Sequence, residues 1–354
     1  MKFGTFVFPV CPDPAKDGQV FQEALEEARV SEELGMDAVW VAEHHFDGNC
    51  VYVDPISFAA ALTTATKRVQ IGSAVIQASL HHPIRLAEQI SILDHLSRGR
   101  FIAGLGKGSQ FNTYEYEAFE IAPDSATARF DETEEILLKA WTGEKVEHRG
   151  KYWNFSFPIL RPRPFTKPHP LYLRAVSSDE STLAQARKGR PFLMSGPTDQ
   201  VAKRVAMFRD AMGKAGHGED KIARAVAQSW VWKHVYVAPT DREAHDIGMA
   251  ALDAYVTYRE RLGLGSTFMQ IFRESMNAGK VPRGFLFGSP AKVIDELAEL
   301  GRGGIANIIV RFAIGPMPYD QRLASLKLFM DKVAPALRPI TAEDATLRTI
   351  PASA

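Results

Sequence analysis

The rhythm of this 354-residue sequence constrains its fold more than any single motif does: short runs rich in β-branched and aromatic residues alternate with longer segments of helical period along the chain. Such alternation marks repeated strand–helix units around a parallel sheet, because parallel neighbours can be joined only by a crossover, usually a helix. Strands are predicted at residues 2–8, 38–43, 69–75, 101–105, 171–176, 191–195, 229–237 and 307–313. Helices are predicted at about 20–34, from Asp54-Pro55, from Pro83 to about Leu96, and at 128–141, 180–188, 198–215 and 319–337, with two more starting at Asp241 and at Ser289-Pro290. Asp54-Pro55 and Ser289-Pro290 place a capping side chain before a proline whose fixed φ suits the first helical position.

Two segments fall outside this count. Residues 145–157, rich in aromatic side chains, read as a small hairpin turning at Arg149-Gly150, and the Gly-, Phe- and Lys/Arg-containing stretch from Gly263 to Phe287 reads as a long lid region after the seventh strand. The proline-dense stretch 161–170 reads as a stiff lead into the fifth strand. Eight units favour a closed barrel over a doubly wound open sheet, which would want a glycine-rich phosphate turn after the first strand, where Pro9, Pro12 and Pro14 stand instead. The expected fold is therefore α/β, a (β/α)₈ TIM barrel with a small hairpin insertion after the fourth helix. It forms one domain over residues 1–340, followed by a loosely ordered tail, 341–354.

Charge and cysteine content narrow the partners. Lys+Arg and Asp+Glu both number 42, so no global basic field exists to hold nucleic acid or an anionic membrane. The only cysteines, Cys11 and Cys50, support neither a disulfide framework nor a thiolate metal site. No apolar run approaches the roughly 18 residues of a membrane span. A soluble, cytoplasmic protein is expected.

Barrel active sites lie at the C-terminal ends of the strands, so polar residues just past each strand are the candidates. The first cluster is Glu43-His44-His45-Phe46-Asp47. Alternation along a strand would send His44 and His45 to opposite sides, leaving one for general acid–base work and the other for packing. Adjacent residues on a strand rarely chelate one ion, so no metal is expected. His81-His82, before Pro83, could line the mouth or simply pack. The second cluster runs from Gly104 to Gly108, where Gly106 would let backbone approach a ligand and Lys107 could offer a cation; a tight barrel-end turn is the plain alternative. The third is Ser177-Ser178-Asp179-Glu180-Ser181-Thr182, which suits either phosphate binding at a helix N-terminus or ordinary capping. Arg129, close to Asp131 and Glu132, could pair with those acids or reach an anion above the barrel.

Read together, Lys2-Phe-Gly-Thr-Phe6, Val39-Trp-Val-Ala-Glu-His-His-Phe46, His82-Pro-Ile-Arg-Leu-Ala-Glu88, Ser97-Arg-Gly-Arg-Phe101, the Gly104–Gly108 turn, Arg129-Phe-Asp131 and Lys327-Leu-Phe-Met-Asp-Lys-Val-Ala-Pro335 make the chain resemble the bacterial luciferase-like flavin-dependent monooxygenase family. The resemblance implies a barrel that binds reduced FMN, reacts it with O2 to a flavin C4a-hydroperoxide and passes one oxygen atom to a small organic substrate. It assigns His44 as the catalytic histidine and places Lys107, Arg129, Ser177, Ser178 and Ser181 at the FMN phosphate. Ala74 and Val75 would lie behind the isoalloxazine ring, joined by a non-prolyl cis peptide, and Gly263 to Phe287 would correspond to a mobile lid, with Lys280 and Arg283 closing over the flavin.

Departures from luciferase bear on what is carried over. Gly106 stands where the luciferase catalytic subunit has a reactive cysteine, Lys107 replaces an arginine, and Val176 replaces a flavin-contacting glutamate. Neither light emission nor the aldehyde substrate is therefore expected. Phe6, Phe8, Phe46, Phe111, Trp230 and Trp232 suggest an apolar substrate, although strand aromatics serve equally as core. No second domain for a nicotinamide is visible, which implies a separate NAD(P)H-dependent flavin reductase. The resemblance also implies a homodimer through helices near the second and third strands. The alternatives are a deazaflavin-dependent oxidoreductase on the same barrel, or a non-catalytic flavin-binding protein, against which the retention of His44 argues.

Overall fold

The computed structural model describes residues 1–48, 50–109 and 111–340; the expected tail, 341–354, lies outside the described residues. Strand β1 (Lys2–Phe6) leads through α1 (Asp17–Glu33) to β2 (Ala38–Val41), and α2 (Pro55–Ala65) leads to β3 (Gln70–Ser73) and the short β4 (Ile76–Gln77). Then come α3 (Pro83–Ser97), β5 (Phe101–Gly106), α4 (Thr113–Ala118), α5 (Ala126–Thr142) and the pair β6 (Val146–Arg149) and β7 (Asn154–Phe157). The chain continues with β8 (Tyr172–Val176), α6 (Asp179–Lys188), β9 (Phe192–Ser195), α7 (Thr198–Lys214), α8 (Glu219–Gln228) and β10 (Trp230–Val237). It closes with α9 (Asp241–Arg261), α10 (Thr267–Asn277), β11 (Phe285–Gly288), α11 (Pro290–Arg302), β12 (Asn307–Arg311), α12 (Tyr319–Leu328), a π-helical turn at Phe329–Val333 and α13 (Ala334–Leu337).

Parallel pairings run β1–β2–β3–β5–β8–β9–β10–β12 and back to β1, which closes an eight-stranded barrel. β11 pairs the C-terminal half of β10, from His234 to Val237, and so stands outside the ring. The strands are buried on both faces, which is why they read as near-continuous apolar runs such as Ile308-Ile309-Val310. Trp40 of β2 and Trp230 of β10 meet at 5.1 Å although their strands are not neighbours, so their rings fill the barrel interior. Glycine makes room for them: a Cβ at Gly4 or Gly72 would come within 2.6 or 2.4 Å of the Trp40 indole.

Several predicted boundaries move for local reasons. β2 ends at Val41, so residues 43–47 form a loop in which Phe46 has φ of 68°, and the alternation argument does not govern His44 and His45. The third predicted strand is interrupted after Ser73 by a cis peptide between Ala74 and Val75, the position expected for one, and resumes as β4. The hairpin turns through residues 150–153 rather than at Arg149-Gly150, because the Glu132 carboxylate gathers the amides of Lys151, Tyr152 and Trp153 at 3.1, 3.1 and 2.9 Å. Asp54 caps α2 as expected, by accepting from the Ile56 amide, whereas Ser289 makes no side-chain cap and its amide donates to Asp241 at 2.7 Å. The segment 263–287 is not irregular throughout: Ser266 caps α10, whose Arg273 pairs with Asp253 and Glu260 of α9, and β11 follows. Helices α4 and α8 were not foreseen. Among the described residues no helix is long and apolar enough to cross a membrane.

Candidate active site

Two cavities open at the C-terminal ends of the strands. One, of about 320 Å3, runs between the Ala74–Val75 and Gly106 wall and the residues Lys107, Arg174, Ser177 and Ser181. The other, of about 460 Å3, is lined by aromatic side chains, including Phe8 and Phe285, together with His234 and Arg311. His44, Ala74, Ser109, Ser195 and Trp232 border both, so the cavities are contiguous and His44 stands at their junction.

The loop after β2 sorts the histidines by their partners. His44 Nδ1 lies 3.1 Å from Glu115 Oε1. Asn112 Nδ2 also lies 3.3 Å from Nδ1, but an ionised carboxylate only accepts and makes the shorter contact, so Nδ1 carries the proton and donates to Glu115, which leaves Nε2 free of both. Glu115, on α4, is fully buried and also accepts from the His45 amide at 3.0 Å and from Gln77 Nε2 at 2.9 Å. Burial alone would raise its carboxyl, but the hydrogen bond and charge of His44, with the His45 and Gln77 donors, outweigh it and hold the group below the usual carboxylate range. His45 Nε2 and His81 Nε2 both bond Glu43, at 3.0 and 2.9 Å. Burial works against the Glu43 charge too, yet the His81 charge, the two imidazole bonds and the Gln77 amide bring its carboxyl down to about 2. The same attraction raises His81 against its own burial. His45 and His81 are thus committed to Glu43, and no group of side chains among the described residues is arranged to hold a metal ion.

The other end of the smaller cavity carries hydroxyls and cations. Ser178 and Ser181 form a reciprocal capping box at the start of α6, and the Ser177 and Ser178 amides both donate to Ser181 Oγ, at 3.3 and 3.1 Å. Capping and ligand binding are therefore not exclusive here, since the box gathers the hydroxyls toward the cavity that all three serines line. Lys107 Nζ reaches Thr127 Oγ1 at 3.1 Å and also lines the cavity. Arg129 is not part of the lining: its Nε donates to the Ser79 carbonyl at 3.2 Å and its guanidinium lies 5.2 and 5.0 Å from the Tyr152 and Trp153 rings. Arg174 of β8 does line the cavity; it lies over Phe130 at 4.2 Å and pairs with Asp131 and Glu134 at 2.6 and 3.0 Å.

The glycines of 104–108 serve the wall. A Cβ at Gly104 would stand 1.7 Å from the Ser73 carbonyl oxygen, and one at Gly106 would stand 2.7 Å from Val75 Cγ2. Gly108 has φ of 97°, where a side chain would be strained. Their first role is to let β5 press against the β3–β4 break, which leaves a smooth apolar face. Two residues that line the cavity each carry a buried polar atom without a partner among the described residues, Gln77 Oε1 and Trp232 Nε1.

Glu115, Gln77 and Arg174 were missed from the sequence. A charged residue inside the apolar run Leu171-Tyr-Leu-Arg-Ala-Val176 was a usable signal for Arg174. Nothing local marks Glu115, which meets His44 across 71 residues of chain.

Known proteins share this architecture. Residues 1–307 match the model of the luciferase-like monooxygenase family. The flavin-dependent trigonelline monooxygenase, oxygenase component, of Acinetobacter baylyi is 25% identical over 361 residues, covering 95% of each chain. Among solved structures, the monooxygenase RslO1 of Streptomyces bottropensis superimposes with a TM-score of 0.80 at 28% identity, over 95% of this chain and 99% of that one. An F420-dependent secondary alcohol dehydrogenase shares the fold at a TM-score of 0.73 and 16% identity, over 95% and 99% of the two chains. The chain is an enzyme and belongs to the luciferase-like monooxygenase family, whose fold also carries F420-dependent oxidoreductases.

Proposed function

We propose that this enzyme is the oxygenase of a two-component system, using reduced FMN and O2 to oxygenate a small organic molecule. The observation that carries the reading is the position of His44, held by Glu115 on the wall shared by two cavities of unlike lining. The smaller cavity fits a flavin mononucleotide: Lys107, Ser177, Ser178 and Ser181 would hold the phosphate, and Ala74, Val75 and Gly106 offer a flat apolar wall for the ring. The unpaired Gln77 oxygen and Trp232 N–H are a spare acceptor and donor suited to a polar heterocycle edge. Bound reduced FMN supplies two electrons to O2, one oxygen atom going to the substrate and the other leaving as water.

The chain's own residues then position, shield and move protons. Glu115 fixes the His44 tautomer so that Nε2 can give or take a proton where the two cavities meet. The aromatic cavity holds the substrate beside it. Met269, Phe272 and Phe285, from the 263–287 segment, cover that cavity and exclude water, and Arg283 ties the segment to Asp199 of α7 at 2.9 Å. A separate reductase is supported by the relative described as an oxygenase component. Cys11 and Cys50 are both buried and free, which suits a cytoplasmic enzyme. Ile92 and Leu96, exposed on α3, suit a homodimer through α2 and α3, which sedimentation would register.

The deciding experiment is anaerobic titration with reduced FMN and, separately, with reduced F420, followed by stopped-flow mixing with O2. Tight binding of reduced FMN, with reoxidation kinetics unlike those of free FMN, is expected. Preference for F420 without O2 consumption would replace this reading with that of a deazaflavin oxidoreductase. Binding of FMN with the reoxidation kinetics of the free flavin would point to a non-catalytic flavin-binding protein.

A further inference from the structure

Three arginines line the aromatic cavity, and two of them have acidic partners. Arg259 is held by Asp47, by Tyr114 Oη at 3.2 Å and by Asn112 Oδ1 at 3.1 Å. Arg283 is paired with Asp199. Arg311 has no such partner. It ends β12, is 5% exposed, and forms no ion pair among the described residues, where the only hydrogen bond to its guanidinium group is from Nε to the Ala313 carbonyl at 2.7 Å. Its outer nitrogen Nη2 is buried without a hydrogen-bond partner among the described residues.

Its buried neighbours Cys50 and Tyr52 do not neutralise it. The titratable groups that bear most on Arg311 are Tyr255, Cys50 and Tyr52, and burial pushes both the Cys50 thiol and the Tyr52 hydroxyl far up, so neither supplies a negative charge. His234, opposite Arg311 in the β10–β12 register, is driven well down by burial and by the Arg311 charge, and stands as a neutral ring whose Nδ1 is also unpartnered. A buried guanidinium left without an anion is costly, and an unsatisfied donor adds to that cost. A protein that retains one in a cavity has a ready place for an anion brought from outside.

The shape of the site narrows which anion. Arg311 lines the aromatic cavity and not the smaller one, so it does not face the FMN phosphate end. Its guanidinium lies 4.0 Å from the Phe8 ring, and Phe8 in turn stands edge-on to His44 at 5.6 Å. Phe285 stacks on His234 at 4.1 Å beside it. A planar fork of donors set among ring faces matches a carboxylate borne on an aromatic or alicyclic body.

We propose that Arg311 is the specificity-determining residue of the substrate cavity and binds the carboxylate of an organic acid, whose ring is then held beside His44. This replaces the expectation of a wholly apolar substrate, and it rests on the reading of the aromatic cavity as the substrate site.

The test is calorimetric titration of the enzyme, with and without FMN, using two pairs of probes: benzoate against benzamide, and cyclohexanecarboxylate against its amide. In wild type at least one carboxylate should bind about tenfold or more tightly than its amide, the scale of a charge-assisted pair. In both Arg311→Met and Arg311→Gln that ratio should fall to about one while the affinity for reduced FMN is kept. The ligand-free Arg311→Met protein should melt no lower than wild type, because it loses an uncompensated buried charge, and benzoate should raise the midpoint of wild type alone. Ratios near one for both pairs in wild type, as an inorganic anion on Arg311 would produce, would overturn the proposal. So would a ratio that survives both substitutions. Loss of FMN binding with carboxylate selectivity intact would instead remove the monooxygenase reading and leave this one standing.

Discussion

Replacing Glu115 by Gln isolates the charge that holds His44. The glutamine is isosteric, and its amide oxygen can still accept from His44 Nδ1 and from the His45 amide, the two bonds now made by Oε1 at 3.1 and 3.0 Å. Its NH2 would replace Oε2, which accepts from Gln77 Nε2 at 2.9 Å, and two donors would then face each other in a fully buried site. One unsatisfied buried donor costs about 1–3 kcal/mol, so the variant should fold with a Tm lower by a few degrees. The larger effect falls on the reaction. A hydrogen bond to a charged partner contributes about 1.5–3 kcal/mol, and if that is expressed only when His44 carries an additional proton, the step should change by roughly 10- to 150-fold. The assay is stopped-flow reoxidation of bound reduced FMN by O2, in wild type, Glu115→Gln, His44→Asn and the double variant, with the FMN dissociation constant measured alongside. The rate should change in Glu115→Gln with FMN affinity held within about twofold, and the double variant should behave as His44→Asn alone does, as expected for residues that act as one unit. Additive effects, or a Glu115→Gln defect found only in FMN binding, would refute a positioning role.

Lys107→Met should weaken reduced FMN about tenfold while leaving riboflavin binding unchanged, because only FMN carries the phosphate that Lys107 would meet; equal losses for both would place Lys107 elsewhere. The Glu43 carboxyl lies at about 2 in the folded protein against an ordinary 4.5, so the unfolded chain binds more protons between those values and stability rises with pH there. The stability Glu43 contributes, about 3 kcal/mol on that shift, is present above about pH 4.5 and is lost as pH falls toward 2; urea titrations should show the gap between wild type and Glu43→Gln narrowing from pH 5 to pH 3. Gly104→Ala puts a methyl group 1.7 Å from the Ser73 carbonyl and must separate β3 from β5. A loss of about 3 kcal/mol, or roughly 6 °C in Tm, is expected by calorimetry.

The barrel was legible because its strands are buried on both faces: a run such as Val69-Gln-Ile-Gly-Ser73 or Asn307-Ile-Ile-Val-Arg311 cannot be mistaken for an exposed helix face, and eight of them in alternation leave few arrangements. What was lost is what tertiary contacts decide. Helix α4, Thr-Tyr-Glu-Tyr-Glu-Ala, has no apolar stripe to announce it and is held instead by what its side chains reach, the Tyr116 hydroxyl at the Lys107 carbonyl and Glu115 at His44. The hairpin was seen but its turn was misplaced, because Glu132, on a different element, sets it.

The same distinction separates the two parts of the site. The place of His44 on the cavity wall was legible because a position just past a barrel strand is informative whatever surrounds it. Arg129 stood out because it lies beside Asp131 and Glu132, whereas Arg174, inside an apolar strand run, carried the weaker signal; only the fold shows the first over Tyr152 and Trp153 and the second on the cavity wall. Arg259 and Arg311 make the point more sharply. Both are buried arginines on the same cavity, and they differ in that Asp47 meets the first and, among the described residues, no acid pairs with the second. An ion pair is a property of two residues brought together, and so is its absence. The unmet charge that marks Arg311 for a ligand therefore exists only once the rest of the chain has folded around it and left it alone.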